Sequence, residues 1–136
     1  MKKISKKALD RIFADLPARI SSGVIVKSVY EDGRELEEAA TPELLSDLVS
    51  GKLVSAKPYL RPMADMTDEE RDALAKKLMS VTVEEGTPIL DKVILQMKVL
   101  YEFLNARMLD FNGLIQSKIA LKAKEGTYEL PAFEGE

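Results

Sequence analysis

The sequence contains no cysteine and no histidine. Without cysteine it can form neither a disulfide nor a thiolate zinc site, which fits a reducing compartment. Without histidine, Ser-His-Asp triads, Cys-His pairs and histidine-ligated metal centres are all excluded. The side chain best suited to proton transfer near neutral pH is missing as well. A catalyst here would have to be built from carboxylates, lysine, serine, threonine, tyrosine or arginine.

Long apolar runs are also lacking. No segment reaches the ~18–20 uninterrupted apolar residues of a membrane span. Lys2 and Lys3 open the chain as a signal peptide would, but Asp10, Arg11 and Asp15 break the apolar run that would have to follow. The expected location is therefore the cytoplasm. Glycine is scattered over seven positions, and neither a G-x-x-x-x-G-K-[ST] loop nor a G-x-G-x-x-G turn is present. EF-hand spacing is absent too. Glu69, Glu70 and Asp72 lie close together, as do Glu84 and Glu85. A capping turn and a solvent loop account for these acids, so no metal and no cofactor is assigned.

What remains is an ordinary globular composition. The 136 residues are 46% apolar and 32% charged. A chain of that length folds as one domain and buries roughly two-thirds of its unfolded surface. Twenty basic residues face 23 acidic ones, a net charge of −3. That balance argues against non-specific nucleic-acid binding, which depends on neutralising phosphates.

Hydrophobic periodicity sets out an α+β order. Ile4, Ala8, Ile12 and Leu16, with Leu9 and Phe13, make the apolar stripe of a helix over 4–16 that Pro17 ends. Residues 23–38 read as a β-hairpin. Gly23–Tyr30 is β-branched and aromatic, Asp32-Gly33 is a two-residue turn signal, and Arg34–Glu37 is a short charged return strand suited to an edge. Thr41-Pro42-Glu43 opens a helix with Leu44, Leu45, Leu48 and Val49 inward and Gly51 at its end. Leu53–Leu60 is a third strand, with Pro58 favouring an edge or a strand beginning. Thr67-Asp68-Glu69-Glu70 is a capping box before a helix to Met79, with Leu74 and Leu78 inward. Ser80–Val83 is a linker or a short strand.

Thr87-Pro88 repeats the cap-and-proline signal and starts the longest helix, to about Met108. Its stripe runs Leu90, Ile94, Met97, Tyr101, Leu104 and Met108, widened by Ile89, Val93, Leu100 and Phe103. So wide a stripe predicts the central core helix of the domain, and a dimer seam is the other use of such a stripe. Asp110–Ile115 reads as a turn into a short final helix. The fold class is therefore α+β: a small antiparallel hairpin plus a third strand, packed with several helices around one long central helix. Residues 1–124 form a single domain, and 125–136 form a flexible acidic tail. Within that tail, Glu129–Phe133 has the make-up of a docking peptide.

One constellation suggests binding. Lys57, Tyr59 and Arg61 alternate, so on a strand they share a face. Two cations around a phenol can hold an anion or stack a base. Any half-buried strand shows the same alternation, so a solvated sheet face explains it as well.

Several segments resemble a known family. Lys57-Pro58-Tyr59-Leu60-Arg61-Pro62-Met63 followed by Met66-Thr67-Asp68-Glu69-Glu70 is one. Leu104-Asn105-Ala106, Asp110-Phe111-Asn112-Gly113-Leu114-Ile115, Ala120-Leu121-Lys122-Ala123 and Glu125-Gly126-Thr127-Tyr128 form a second group. Leu16-Pro17-Ala18-Arg19 before Gly23-Val24 is a third. Together they are similar to small uncharacterised proteins of tailed phages and prophages of Bacteroides and related gut bacteria. Residues 31–52 and 80–103 lie outside the likeness. The family carries a glycine after the short final helix, where this chain has Lys118-Ile119. The resemblance implies a phage or prophage origin and a host-cell cytoplasmic setting, and it brings no activity and no catalytic residues.

With no catalytic residues to assign, the leading expectation is a non-enzymatic protein-interaction or regulatory module whose partner is a host or phage protein. A binder of a small anionic ligand, such as a nucleotide signal of host defence, is the alternative that Lys57, Tyr59 and Arg61 motivate. A virion component is another. A magnesium-dependent nuclease comes last. A homo-oligomer stays open.

Overall fold

A computed structural model describes residues 4–130 of the chain. Ser5 starts the first helix by accepting a hydrogen bond from the Ala8 amide (3.2 Å), and α1 runs Lys6–Asp15. Pro17 does not end the helical path, as the sequence suggested. Leu16 keeps helical dihedrals, and Pro17 opens a further turn, α2 (Pro17–Ile20). A first-turn proline lacks an N–H that would have no helical acceptor anyway.

Strands β1 (Ile25–Tyr30) and β2 (Glu35–Ala39) form the expected antiparallel hairpin. Its connection differs from the two-residue turn. Gly33 has a φ of 91°, whereas Asp32 stays in the ordinary region. The Tyr30 amide donates to the Arg34 carbonyl (2.9 Å), which closes a three-residue loop with one left-handed position. Asp32 instead accepts from the Arg34 amide (3.0 Å). Along its whole length β2 is exposed, as suits the charged edge strand it is.

Helix α3 (Pro42–Ser50) is capped by Thr41 and stopped by Gly51 at φ 79°, both as expected. Leu44 and Leu48 are buried, but Val49 points outward. Strand β3 (Leu53–Leu60) follows. It is not an edge: the sheet order is β2-β1-β3-β4. β4 (Leu121–Lys122) is a two-residue parallel addition at Tyr59 and Leu60 that the sequence did not signal. It pairs just past Pro58, so no bond on that side calls for the proline's missing N–H.

A short 3-10 turn (Met63–Asp65) leads to α4 (Asp68–Met79), where both bonds of the Thr67–Glu70 capping box are formed. Residues 81–84 form no strand. α5 (Ile89–Ala106) begins after Pro88 with no side-chain cap, one residue later than Thr87-Pro88 suggested. It has the expected length, but only its C-terminal end enters the core. Phe103 and Leu104 are buried, while most of the apolar stripe from Ile89 to Tyr101 lies exposed.

Two apolar clusters result. One joins α1, the sheet and α3 through Leu16, Val26, Leu48, Leu60, Met108 and Leu114. The other gathers Met66, Phe103, Leu104 and Leu109 at the ends of α4 and α5.

α5 ends in a Schellman motif. The Leu109 amide donates to the Leu104 carbonyl (3.0 Å) and the Met108 amide to that of Asn105 (3.2 Å). Met108 takes the left-handed position usually given to glycine, at φ 58°. Its side chain is buried, which offsets the roughly 1–2 kcal/mol of backbone strain. The expected final helix is only a turn over 114–118, and it repeats the motif. Asp110 accepts from the Leu114 and Ile115 amides (2.9 Å each). The Ile119 amide closes back on Leu114 (2.9 Å), and Lys118 sits at φ 63°.

Lys118 is exposed, so little burial offsets its strain. Lys118→Gly is expected to stabilise the fold by about 1 kcal/mol, raising the urea midpoint without changing the slope. A lower midpoint would contradict the strained geometry.

Candidate functional site

The three residues singled out in the sequence do not converge. Lys57 and Tyr59 lie on the sheet face opposite the buried Ala56, Pro58 and Leu60. The register sets Lys57 beside Lys27, and Lys27 beside Glu37. A hydrogen bond with the Glu37 carboxylate, aided by partial burial, raises the pKa of the Tyr59 phenol.

Arg61 belongs elsewhere. Its guanidinium grips Glu70 with both ends (2.6 and 2.8 Å) and also donates to the Arg107 and Asp65 carbonyls (3.1 and 3.2 Å). Arg107 donates to the same carboxylate through Nε. Glu70 additionally accepts from the Thr67 amide (2.9 Å). Its side chain is 2% exposed. Burial alone would raise its pKa, but the bonds from Arg61, Thr67 and Arg107 prevail and hold it down at about 2. One carboxylate thus caps α4, anchors the residue after β3 and receives the end of α5.

A cavity of about 470 Å³ opens beside Arg61, walled by Thr67, Lys124, Gly126, Tyr128 and Leu130. Asp65 and Glu125 also line it, so its charge is mixed. Tyr128 lies in the stretch read as a tail, yet it joins the sheet. Its hydroxyl donates to the Tyr59 carbonyl (2.6 Å) and accepts from the Ile25 amide (2.9 Å). Burial is the main cause of its raised pKa. Residues 131–136, with most of the suggested docking peptide, lie outside the described residues.

A second buried charge pair went unseen in the sequence. Arg19 binds Asp15 in bidentate fashion (2.9 and 3.0 Å) and donates to the Leu109 carbonyl (2.8 Å). Asn112 donates to Asp15 (2.8 Å), and the Phe111 ring lies 5.3 Å from the guanidinium carbon. The signal was the i,i+4 spacing of Asp15 and Arg19. The proline between them reads as a helix end and hides it.

The largest chemically uncommitted feature is the outer face of α5. Leu90 is 67% exposed, Ile94 54%, Met97 44% and Tyr101 41%. α4 covers the other side, where Gln96 donates to the Leu78 carbonyl (3.3 Å). Among the described residues, no three acidic side chains gather where they could hold a metal ion. Nor is any helix among them long and apolar enough to cross a membrane. Compared with protein-family models, curated proteins and solved structures, the chain matches none.

Two expectations follow from Glu70. Its folded-state pKa lies below its ordinary value of about 4.5. The stability it contributes is therefore complete above that value and is lost as pH falls towards about 2, on the order of 3 kcal/mol. Denaturant titrations at stepped pH should show that loss in the wild type and not in Glu70→Ala. At neutral pH, Glu70→Ala leaves two cations without their shared carboxylate and should destabilise by about 3–5 kcal/mol. A change under 1 kcal/mol would show that this junction is not structural.

Proposed function

We propose that the protein is a non-enzymatic protein-interaction module and that the outer face of α5 makes the contact. The observation behind this reading is the run of exposed Leu90, Ile94, Met97 and Tyr101 on an otherwise well-packed domain. Single exposed apolar residues are normal on a protein surface, whereas a contiguous strip of them marks an interaction face. The strip sits on a helix held at one end by buried Phe103 and Leu104, so it is presented on a rigid element. The likeness to phage and prophage proteins makes a host or phage protein the natural partner class.

The small-anion reading loses support from Arg61, whose guanidinium is committed to Glu70. Lys57 lines a small hollow of about 180 Å³ with Lys118, but neither Tyr59 nor Arg61 shares it.

Affinity capture of tagged protein from phage-infected host cells tests the proposal. The wild type should retain a stoichiometric protein that Ile94→Glu loses, with both proteins equally folded by circular dichroism. Turnover of a substrate by the purified protein, abolished by one polar substitution, would overturn it.

A further inference from the structure

We infer that the α5 face is closed by a second copy of this chain, the two helices packing antiparallel about a two-fold axis near Leu95 and Gln96. The inference rests on the interaction reading above and names its partner.

Spacing is the first argument. Leu90, Ile94, Met97 and Tyr101 follow one another at intervals of four, three and four. Eleven residues over three turns keep the four on one face of the helix, a strip along which a second helix can pack. Here the seam is the part of α5 that its own core leaves open.

Charge decides the direction. In the antiparallel arrangement Ile94 meets Met97 of the second copy, and Leu90 meets Tyr101 of the second copy. The flank following each seam residue then brings Asp91 beside Lys98 of the second copy, and the two-fold repeats the pair. A parallel arrangement sets Lys98 beside Val93 of the second copy and forms no ion pair. Both charges are available. Among the described residues Asp91 has no ion-pair partner, and Lys98 has only a solvent-exposed contact with Glu102 (3.9 Å). Such exposed contacts contribute little on their own, so Lys98 can exchange partners at small cost.

Size fits as well. With Ile89 and Val93, the seam exposes on the order of 600 Å², the top of the range for an apolar patch on a monomer. Adding the Asp91 and Lys98 rim brings it towards the roughly 800 Å² per partner of a standard interface.

Sedimentation velocity of the untagged full chain, from low micromolar to several hundred micromolar, is the test. The wild type should form a dimer. Asp91→Lys or Lys98→Asp alone should weaken it about tenfold, since each sets like charges together twice. The double variant Asp91→Lys/Lys98→Asp should restore it. All positions are exposed, so unchanged circular dichroism will show that the variants fold. A monomer at every concentration overturns the inference, and so does a dimer indifferent to the charge exchange. If the chain is monomeric yet captures a partner that Ile94→Glu loses, the interaction reading stands and only this inference fails. If neither association occurs, both fail.

Discussion

The carboxylate of Glu70 is the point on which the helical half of the molecule turns. A buried charge needs partners, because desolvation otherwise costs several kcal/mol. Glu70 finds them on three separate segments: Thr67 beside it, Arg61 after β3, and Arg107 at the end of α5. Satisfying that one group therefore sets where α4 begins and where α5 ends, relative to the sheet. The second buried carboxylate, Asp15, does the same for the N-terminal helices through Arg19 and Asn112.

Both networks meet on one stretch of chain. The carbonyl of Arg107 accepts from Arg61, and that of Leu109 accepts from Arg19. Between them, the Arg61 amide donates to the Met108 carbonyl (2.6 Å), and the Asp110 amide donates to the Arg61 carbonyl (2.8 Å). Residues 107–112 are thus a spine held from both sides by guanidinium groups and backbone bonds. The left-handed Met108 turns the chain into it. Leu104 and Leu109 lie together in the second cluster, giving the apolar contact that accompanies such a cap.

Much of this was legible where local chemistry decides structure. The Thr41 and Thr67 caps, the Gly51 stop and the β1–β2 hairpin all depend on residues within a few positions of one another. What escaped notice depends on distant partners. Glu70 was legible as a cap residue, but nothing local announces that Arg61 and Arg107 converge on it. Arg61 looked like a ligand group for the same reason: alternation shows that residues share a strand face, not what covers that face. The α5 stripe failed differently. Apolar periodicity reports that a face avoids water, and core and interface answer that demand equally. β4 was invisible because two residues carry no pattern; its place comes from the backbone of β3.

That last pairing has a consequence for biosynthesis. The hairpin, α3 and β3 are contiguous and can assemble as soon as they leave the ribosome. The far edge of β3 cannot, because Tyr59 and Leu60 wait for Leu121 and Lys122, and the Tyr59 carbonyl waits for the Tyr128 hydroxyl. Non-local closures of this kind come late in folding. Until residues 121–128 have been translated, the nascent protein carries an open strand edge beside an apolar core. Translation of that stretch is the step that seals it.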